Sequence, residues 1–170
     1  MLRGGFAESM AFMIAEVTAA NGVLGICPLP GVDGDYERDF RMIEGWAPDF
    51  VISMTEPDEM RAVGAEALGS DLGALGITFH SLPICDFGAP GPDVQAAWPD
   101  VSKEARAILS GGGRVLVHCR GGCGRSGMIL LRLMVEMDEV PEAALVRLRA
   151  QRPCAVETKA QMAWAFAGKG

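Results

Sequence analysis

A cysteine and an arginine six positions apart frame the part of this chain best suited to chemistry. The segment from Val115 to Leu131 reads VLVHCRGGCGRSGMILL. Glycines have no Cβ, so successive backbone N–H groups can turn toward one point and bind an anion, and an arginine can hold two phosphate oxygens. We therefore predict a phosphate-binding loop with the sulfur of Cys119 at its base. The residues expected to bind phosphate are Arg120, Gly121, Gly122, Cys123, Gly124 and Arg125.

The sulfur of Cys119 indicates which reaction the loop would perform. A helix N-terminus and neighbouring cations favour the ionised form of a cysteine, so we expect a thiolate that attacks the phosphorus of a bound phosphate ester. Ser126 follows the arginine. Its hydroxyl is expected to hydrogen-bond the sulfur and ease its departure in a second step. His118 is expected to orient the loop from behind rather than to act as a base.

The alcohol leaving the phosphate needs a proton, and two aspartates compete to supply it. Asp86 lies in ICDFGAP and Asp100 ends AWPD. Asp86 directly follows a predicted strand, which places it in a loop at the edge of the sheet. Asp100 precedes VSKEARAIL and is expected to begin that helix, where aspartate is a common cap. We favour Asp86, although the start of that helix would also lie near the same edge, so Asp100 remains an alternative.

The spacing C-x5-R followed by serine resembles the signature of the cysteine-based protein tyrosine phosphatase superfamily. Four segments are similar, in the same order, to the cyclin-dependent-kinase-associated branch of the dual-specificity phosphatases: LGICPLPG (24–31), LPICDFGAP (82–90), VHCRGGCGRSG (117–127) and AVETKAQ (155–161). The resemblance implies a tyrosine-phosphatase-like fold, a two-step phosphocysteine mechanism, and no metal or other cofactor. It also favours Asp86, whose following residues fit the acid-loop continuation Phe-Gly-x-Pro. By the same resemblance Gln161 would orient the hydrolytic water and Asp86 would act as its base.

These inferences predict an enzyme that hydrolyses phosphotyrosine, phosphoserine or phosphothreonine in a phosphoprotein substrate. One alternative is a phosphoprotein-binding module with little turnover, and another is a phosphatase for a phosphoinositide or an RNA 5′ phosphate. Gly122, Gly124 and Gly127 also match the dinucleotide fingerprint, but that interpretation leaves Cys119 and Arg125 without a role. A zinc site is disfavoured because its candidate ligands match no familiar spacing; they are His80, Cys85, His118, Cys119 and Cys123.

Composition limits the partners and the location of the chain. The 170 residues suggest one domain, residues 1–170, and the net charge of −7 argues against nucleic-acid and acidic-membrane binding. No apolar run is long enough to span a membrane and no signal peptide is evident, so we expect a cytoplasmic protein; the oligomeric state stays open.

Five cysteines, an odd number, are expected to be free thiols. Of those near the site, Cys123 is expected to fill space beneath the loop, and a protective disulfide between Cys119 and either Cys123 or Cys27 is disfavoured. The acidic clusters 33–39 and 56–59 are expected to be solvated.

Alternating strand and helix patterns predict an α/β fold: a three-layer-like sandwich with a mainly parallel central sheet flanked by helices. An N-terminal hairpin is expected at about 11–29, turning at Asn21-Gly22, and a catalytic core at about 30–168. The predicted helices cover residues 36–46, 56–68, 102–110, 126–137, 141–150 and 158–167. The predicted strands after the hairpin cover residues 49–54, 76–84 and 114–119.

Overall fold

The computed structural model describes residues 11–168 and has a central sheet between two layers of helices. Within that range the strands, in chain order, are β1 (Ala15–Ala19), β2 (Gly22–Cys27), β3 (Phe50–Ser53), β4 (Thr78–Ser81) and β5 (Arg114–His118). The helices are α1 (Tyr36–Trp46), α2 (Pro57–Ala62), α3 (Leu68–Ala74), α4 (Pro92–Ser110), α5 (Gly124–Glu136), α6 (Pro141–Gln151) and α7 (Lys159–Phe166). No helix in the described range is both long and apolar enough to cross a membrane.

The sheet order is β1-β2-β5-β3-β4, with β5 at the centre. β5 is parallel to both β2 and β3, β3 is parallel to β4, and only β1 runs antiparallel, against β2. The prediction of a mainly parallel sheet flanked by helices is confirmed. Because the carboxyl ends of parallel strands share one edge, the segments after β3, β4 and β5 meet there.

Alternate residues of the strands face two different cores. Val115 and Val117 of β5 pack with α4, α5, α6 and α7, whereas Leu116 packs with α1 and α3. All three side chains are fully buried. A near-continuous apolar strand of this kind is what a parallel sheet covered on both faces requires.

The first strands form the predicted hairpin, but the turn lies one residue earlier than expected. Ala19 pairs with Gly22, so Ala20 and Asn21 form the turn, with Ala20 at φ 50°. Gly22 belongs to β2, and a Cβ there would lie 2.4 Å from the carbonyl oxygen of Gly113. The glycine is therefore needed for close approach of two backbone segments rather than for the turn.

Two helices differ from the sequence prediction. The stretch 56–68 does not form one helix, because Gly64 adopts φ 71° and ends α2 before α3 begins. The helix expected from residue 102 begins ten residues earlier, at Pro92, and continues through Pro99. The sequence suggested that Asp100 begins this helix, but Asp100 lies inside α4 and does not cap it. Buried Val94, Trp98 and Val101 hold this first half of the helix against the core.

Candidate active site

The predicted phosphate-binding loop connects the end of β5 to the start of α5. Cys119 follows the last residue of β5 and is 2% exposed, and α5 begins at Gly124. Ser126, in the first turn of α5, is fully buried with its Oγ 3.1 Å from the sulfur of Cys119. The sequence therefore folds so that a central strand delivers the sulfur to the N-terminus of a buried helix, where anions are stabilised.

The backbone carbonyl groups of the loop are bonded from outside. His118 Nδ1 lies 3.3 Å from the Cys119 oxygen, and the Leu29 N–H donates to Arg120 at 3.0 Å. Arg152 donates to the carbonyl oxygens of Gly121 and Gly122, both at 2.9 Å. The carbonyl of Cys123 accepts from the backbone N–H groups of Gly127 (2.8 Å) and Val156 (3.3 Å).

This outward arrangement fixes the direction of the amides. No peptide in the described range is cis. In a planar trans peptide the C=O and N–H groups point in opposite directions, so tying each carbonyl outward turns the following N–H inward. The N–H groups of residues 120–124 thus form the inner surface of the loop. Such a set of converging amides binds a tetrahedral anion.

His118 holds this arrangement as a neutral group. It is fully buried, and burial first, then the nearby Arg125, lowers its pKa to about 4, despite the opposing contact with the Cys119 carbonyl. A neutral imidazole carries one N–H. Its Nε2 has no hydrogen-bond partner among the described residues. The ring thus orients the loop through Nδ1 rather than exchanging protons.

Arg125 lies almost fully buried beside the loop and is held by Glu59. Its two terminal nitrogens each lie 2.7 Å from a carboxylate oxygen of Glu59, and one also donates to the Ile84 carbonyl at 2.9 Å. Its Nε is buried without a protein partner among the described residues. Burial alone would lower the pKa of Arg125, but hydrogen bonding to Glu59 and the nearby Cys119 outweigh it and raise that pKa.

Sequence reasoning missed Glu59, because it placed the cluster 56–59 in solvent. Glu59 belongs to α2, which follows the carboxyl end of β3 beside β5. Burial raises its pKa, but hydrogen bonds from Arg125 and the Glu56 N–H prevail and lower it below its usual range. The signal was available, since E-P-x-E after a strand is a helix N-terminus at the active edge. Asp39, also expected in solvent, is fully buried and accepts from the Gly31 N–H.

The two candidate acids lie in different surroundings. Asp86 follows β4 and approaches Arg125, with 3.3 Å between its Oδ1 and a guanidinium nitrogen. Its side chain is 47% exposed and also accepts from the Phe87 N–H. Asp100 is exposed in the middle of α4.

Gln161 is fully buried at the start of α7 rather than facing solvent. Its side-chain oxygen accepts from the N–H groups of Glu157 and Thr158, and its nitrogen donates to the Gly88 carbonyl at 3.1 Å. Gly88 lies two residues after Asp86, so Gln161 connects the start of α7 to the acid-bearing loop.

The cysteines differ from the prediction of free thiols throughout. Cys123, inside the loop, forms a disulfide with Cys154, while Cys27, Cys85 and Cys119 are free. Cys123 therefore neither fills space as a thiol nor pairs with Cys119. Cys154 lies in the connection between α6 and α7, far along the sequence, so no local pattern indicated the pair.

A pocket of about 240 Å³ opens over the loop. It is lined by Pro28, Val32, Asp86, Phe87, Arg120, Gly121, Cys123 and Glu157. The structure thus brings Cys119, Arg125, Ser126 and Asp86 to one edge of the sheet, beneath a surface opening. This arrangement can present a nucleophile, anion-binding donors and a carboxyl group to one phosphate ester.

Comparisons with known proteins agree with this geometry. The mouse cyclin-dependent kinase inhibitor 3 is 28% identical over 135 residues, which cover 76% of this chain and 63% of that protein, less than two thirds of its length. A crystal structure of kinase associated phosphatase, with its catalytic cysteine replaced by serine, superimposes with a TM-score of 0.79 at 24% identity, covering 91% of this chain and 92% of that one. Tk-PTP in its active form gives a TM-score of 0.66 at 25% identity, covering 86% and 90%.

A family model described as "Polymorphic toxin system, DSP-PTPase phosphatase" matches residues 38–139, more than half of the chain. The matched range contains α2, the Asp86 loop, β5 and the whole phosphate-binding loop. The resemblance stated from the sequence is thereby confirmed, and the chain belongs to the dual-specificity type of the cysteine-based protein tyrosine phosphatases.

Proposed function

We propose that this protein hydrolyses phosphomonoesters of phosphoprotein side chains through a phosphocysteine intermediate. The observation that carries the proposal is the Cys119 sulfur at the base of a loop whose carbonyls are bonded outward, so that five amides turn inward, beside a buried arginine whose Nε has no protein acceptor in the described range. Those donors match the oxygens of a phosphate group. Preorganised donors of this kind stabilise the charge that develops as phosphate transfers.

In the first step the Cys119 thiolate attacks phosphorus. The S–P bond forms, the P–O bond to the substrate breaks, and Asp86 gives its proton to the departing oxygen. The amides of residues 120–124 and Arg125 hold the three peripheral oxygens throughout.

In the second step water replaces the sulfur. Asp86, now a carboxylate, takes a proton from the water as the O–P bond forms and the S–P bond breaks. Ser126 Oγ, 3.1 Å from the sulfur, hydrogen-bonds the departing thiolate. Gln161 is proposed to orient the water, supported by its burial beside the Asp86 loop.

The names of the similar proteins support a phosphoprotein as the substrate. They include a kinase associated phosphatase and cyclin-dependent kinase inhibitor 3. We propose phosphotyrosine, phosphoserine or phosphothreonine as the substrate class and transfer no particular kinase to this chain. A cytoplasmic location stays a prediction. The form of the protein that carries the Cys123–Cys154 disulfide does not fit a cytoplasmic location, because cytosolic thiol systems keep most cysteines reduced.

The decisive variant is Cys119→Ser, assayed with an aryl phosphate. We expect turnover to fall to background while the variant still binds tungstate, since the amides and Arg125 remain. Cys85→Ser, which changes an exposed free cysteine, is the matched control and should keep its turnover. Unchanged turnover in Cys119→Ser would overturn the mechanism.

Substrate class needs a separate measurement. Rates on phosphopeptides are to be compared with rates on inositol phosphates and an RNA 5′ phosphate. Faster turnover of the phosphopeptides is expected, and preference for either of the others would replace the substrate proposed here. Tungstate binding without turnover on any substrate would indicate a binding module.

A further inference from the structure

The segment 152–157, here termed the brace segment, supports one side of the phosphate-binding loop. Arg152 donates to the carbonyls of Gly121 and Gly122, and the Val156 N–H donates to the carbonyl of Cys123. These three carbonyls belong to the peptides whose N–H groups, of residues 122, 123 and 124, turn inward. Three of the five converging amides therefore depend on the brace segment.

The brace segment is itself fixed to α6. Arg149 donates to the carbonyls of Ala155 and Val156, both at 2.9 Å. Val156 has φ 66°, a left-handed conformation that a β-branched residue adopts only when its surroundings impose it. The segment can therefore hold the phosphate-binding loop in a fixed position relative to α6.

One covalent bond joins the two segments. Cys123 lies between Cys119 and Arg125 in the sequence, and its disulfide partner Cys154 lies inside the brace segment, 31 residues away. Cys123 is half-buried whereas Cys154 is exposed, so a thiol from solution can reach the bond from the Cys154 side. The phosphatase mechanism proposed above does not use this bond.

We propose that the Cys123–Cys154 disulfide is a positioning element for the phosphate-binding loop, and that its reduction weakens binding of the phosphate group. The proposal rests on the function proposed above. Reduction needs a dithiol: the S–S bond breaks, two electrons and two protons make thiols of Cys123 and Cys154, and the dithiol becomes a disulfide. The hydrogen bonds from Arg152 and Val156 remain, so the loop loosens without losing its shape.

The effect is expected in binding rather than in the chemical step. Cys119, Ser126 and Asp86 do not contact the brace segment through any hydrogen bond found in the described residues, so their roles continue after reduction. We expect the dissociation constant for tungstate to rise by between about threefold and tenfold, the change that corresponds to the loss of roughly one net hydrogen bond. KM for an aryl phosphate should rise by a similar factor, with kcat little changed.

The experiment uses the full chain carrying Cys119→Ser, so that oxidation of the nucleophile cannot interfere. Tungstate binding is measured by calorimetry after equilibration in oxidised glutathione and again after treatment with dithiothreitol, with thiols counted in each sample. Cys154→Ser in the same background should show the weaker binding under both conditions. Cys85→Ser should keep the response of the parent protein. Circular dichroism of each sample establishes that the chain is folded.

Equal tungstate affinity in the oxidised and reduced chains would overturn the inference while leaving the proposed function intact. Free thiols at both Cys123 and Cys154 after oxidation would also overturn it. Absence of tungstate binding in every sample would instead remove the proposed function, and this inference with it.

Discussion

The two aspartates that compete for the role of general acid differ in what surrounds them. Asp86 lies on the pocket rim, 3.3 Å from Arg125, in the loop that Gln161 fixes through Gly88. Asp100 lies mid-helix, exposed to solvent. A general acid must reach the oxygen it protonates, so position decides between them.

Replacing Asp86 by asparagine should lower kcat by about 10²- to 10⁴-fold on a phosphotyrosine peptide, because the leaving oxygen loses its proton donor. The loss should be smaller on 4-nitrophenyl phosphate, whose leaving group needs less protonation. Steady-state kinetics on both substrates test this. Asp100→Asn is the matched control, and a larger loss in that variant would reverse the assignment.

The placement of site residues that are close in the sequence was predictable, and the placement of residues that contact the site from distant parts of the chain was not. Cys119, Arg125 and Ser126 belong to one strand-loop-helix segment, and the structure brings them together as expected. Glu59 and Arg152 contact the same loop from other elements. Their partners are 66 and 30 residues away, and a single sequence carries no pattern for such pairs.

At the scale of elements, α5 must approach the brace segment closely for the loop to be held. A Cβ on Gly127 would lie 2.6 Å from the Val156 nitrogen and 2.8 Å from the Ala155 Cα. Both are backbone atoms, which cannot move aside as a flexible side chain could. Glycine at this position therefore allows the contact between helix and segment.

Gly127→Ala should destabilise the protein by about 1–3 kcal/mol, the usual result of forcing extra volume into a packed site. Gly45→Ala offers the comparison, since it changes a glycine in α1 where an added Cβ meets nothing within 4 Å. That variant should be stabilised by up to roughly 1 kcal/mol through helix propensity. Urea unfolding of both measures the difference, and equal stabilities would contradict the packing argument.

Helix boundaries were predictable where local signals agree. α1 was predicted over the observed residues from its apolar spacing alone, and in the structure the Asp35 side chain caps it by accepting from the Arg38 N–H. α4 was predicted too short because Asp100 was expected to begin it, whereas Pro92 at its first turn begins the helix. Burial of Trp98 outweighs the single hydrogen bond that Pro99 removes.

At the scale of the whole molecule, burial of His118 couples stability to pH. Its pKa is lowered from 6.5 in the unfolded chain to about 4 in the folded protein. The unfolded chain therefore binds a proton first as the pH falls. Stability is fully present above pH 6.5 and is lost progressively toward pH 4.

We expect the free energy of unfolding to fall by about 2–3 kcal/mol between pH 7 and 4.5 through this group. Urea titrations at several pH values measure the loss. His118→Asn keeps a side-chain N–H donor but does not titrate, so its stability should vary less over the same interval. A parallel decline in both proteins would exclude His118 as the cause. Glu59, whose pKa is lowered in the folded protein, loses most of its contribution below its unfolded value of 4.5 and therefore adds little in this interval.

The Cys123–Cys154 disulfide could not be predicted from the sequence, because its two cysteines meet only in the folded chain. An odd number of cysteines suggested free thiols, but parity says nothing about which two meet after folding. Cys123 and Cys154 meet because α6 returns the chain to the carboxyl edge of the sheet.

The central place of β5 has a consequence for synthesis. Residues 114–118 are synthesised after both β2 and β3, and in the described sheet these two strands are joined only through β5. A nascent chain therefore cannot close its sheet early, and it exposes two strand edges that chaperones can shield. The reactive sulfur follows the same strand by one residue, so it enters the growing polypeptide before α5 and the brace segment that complete its surroundings.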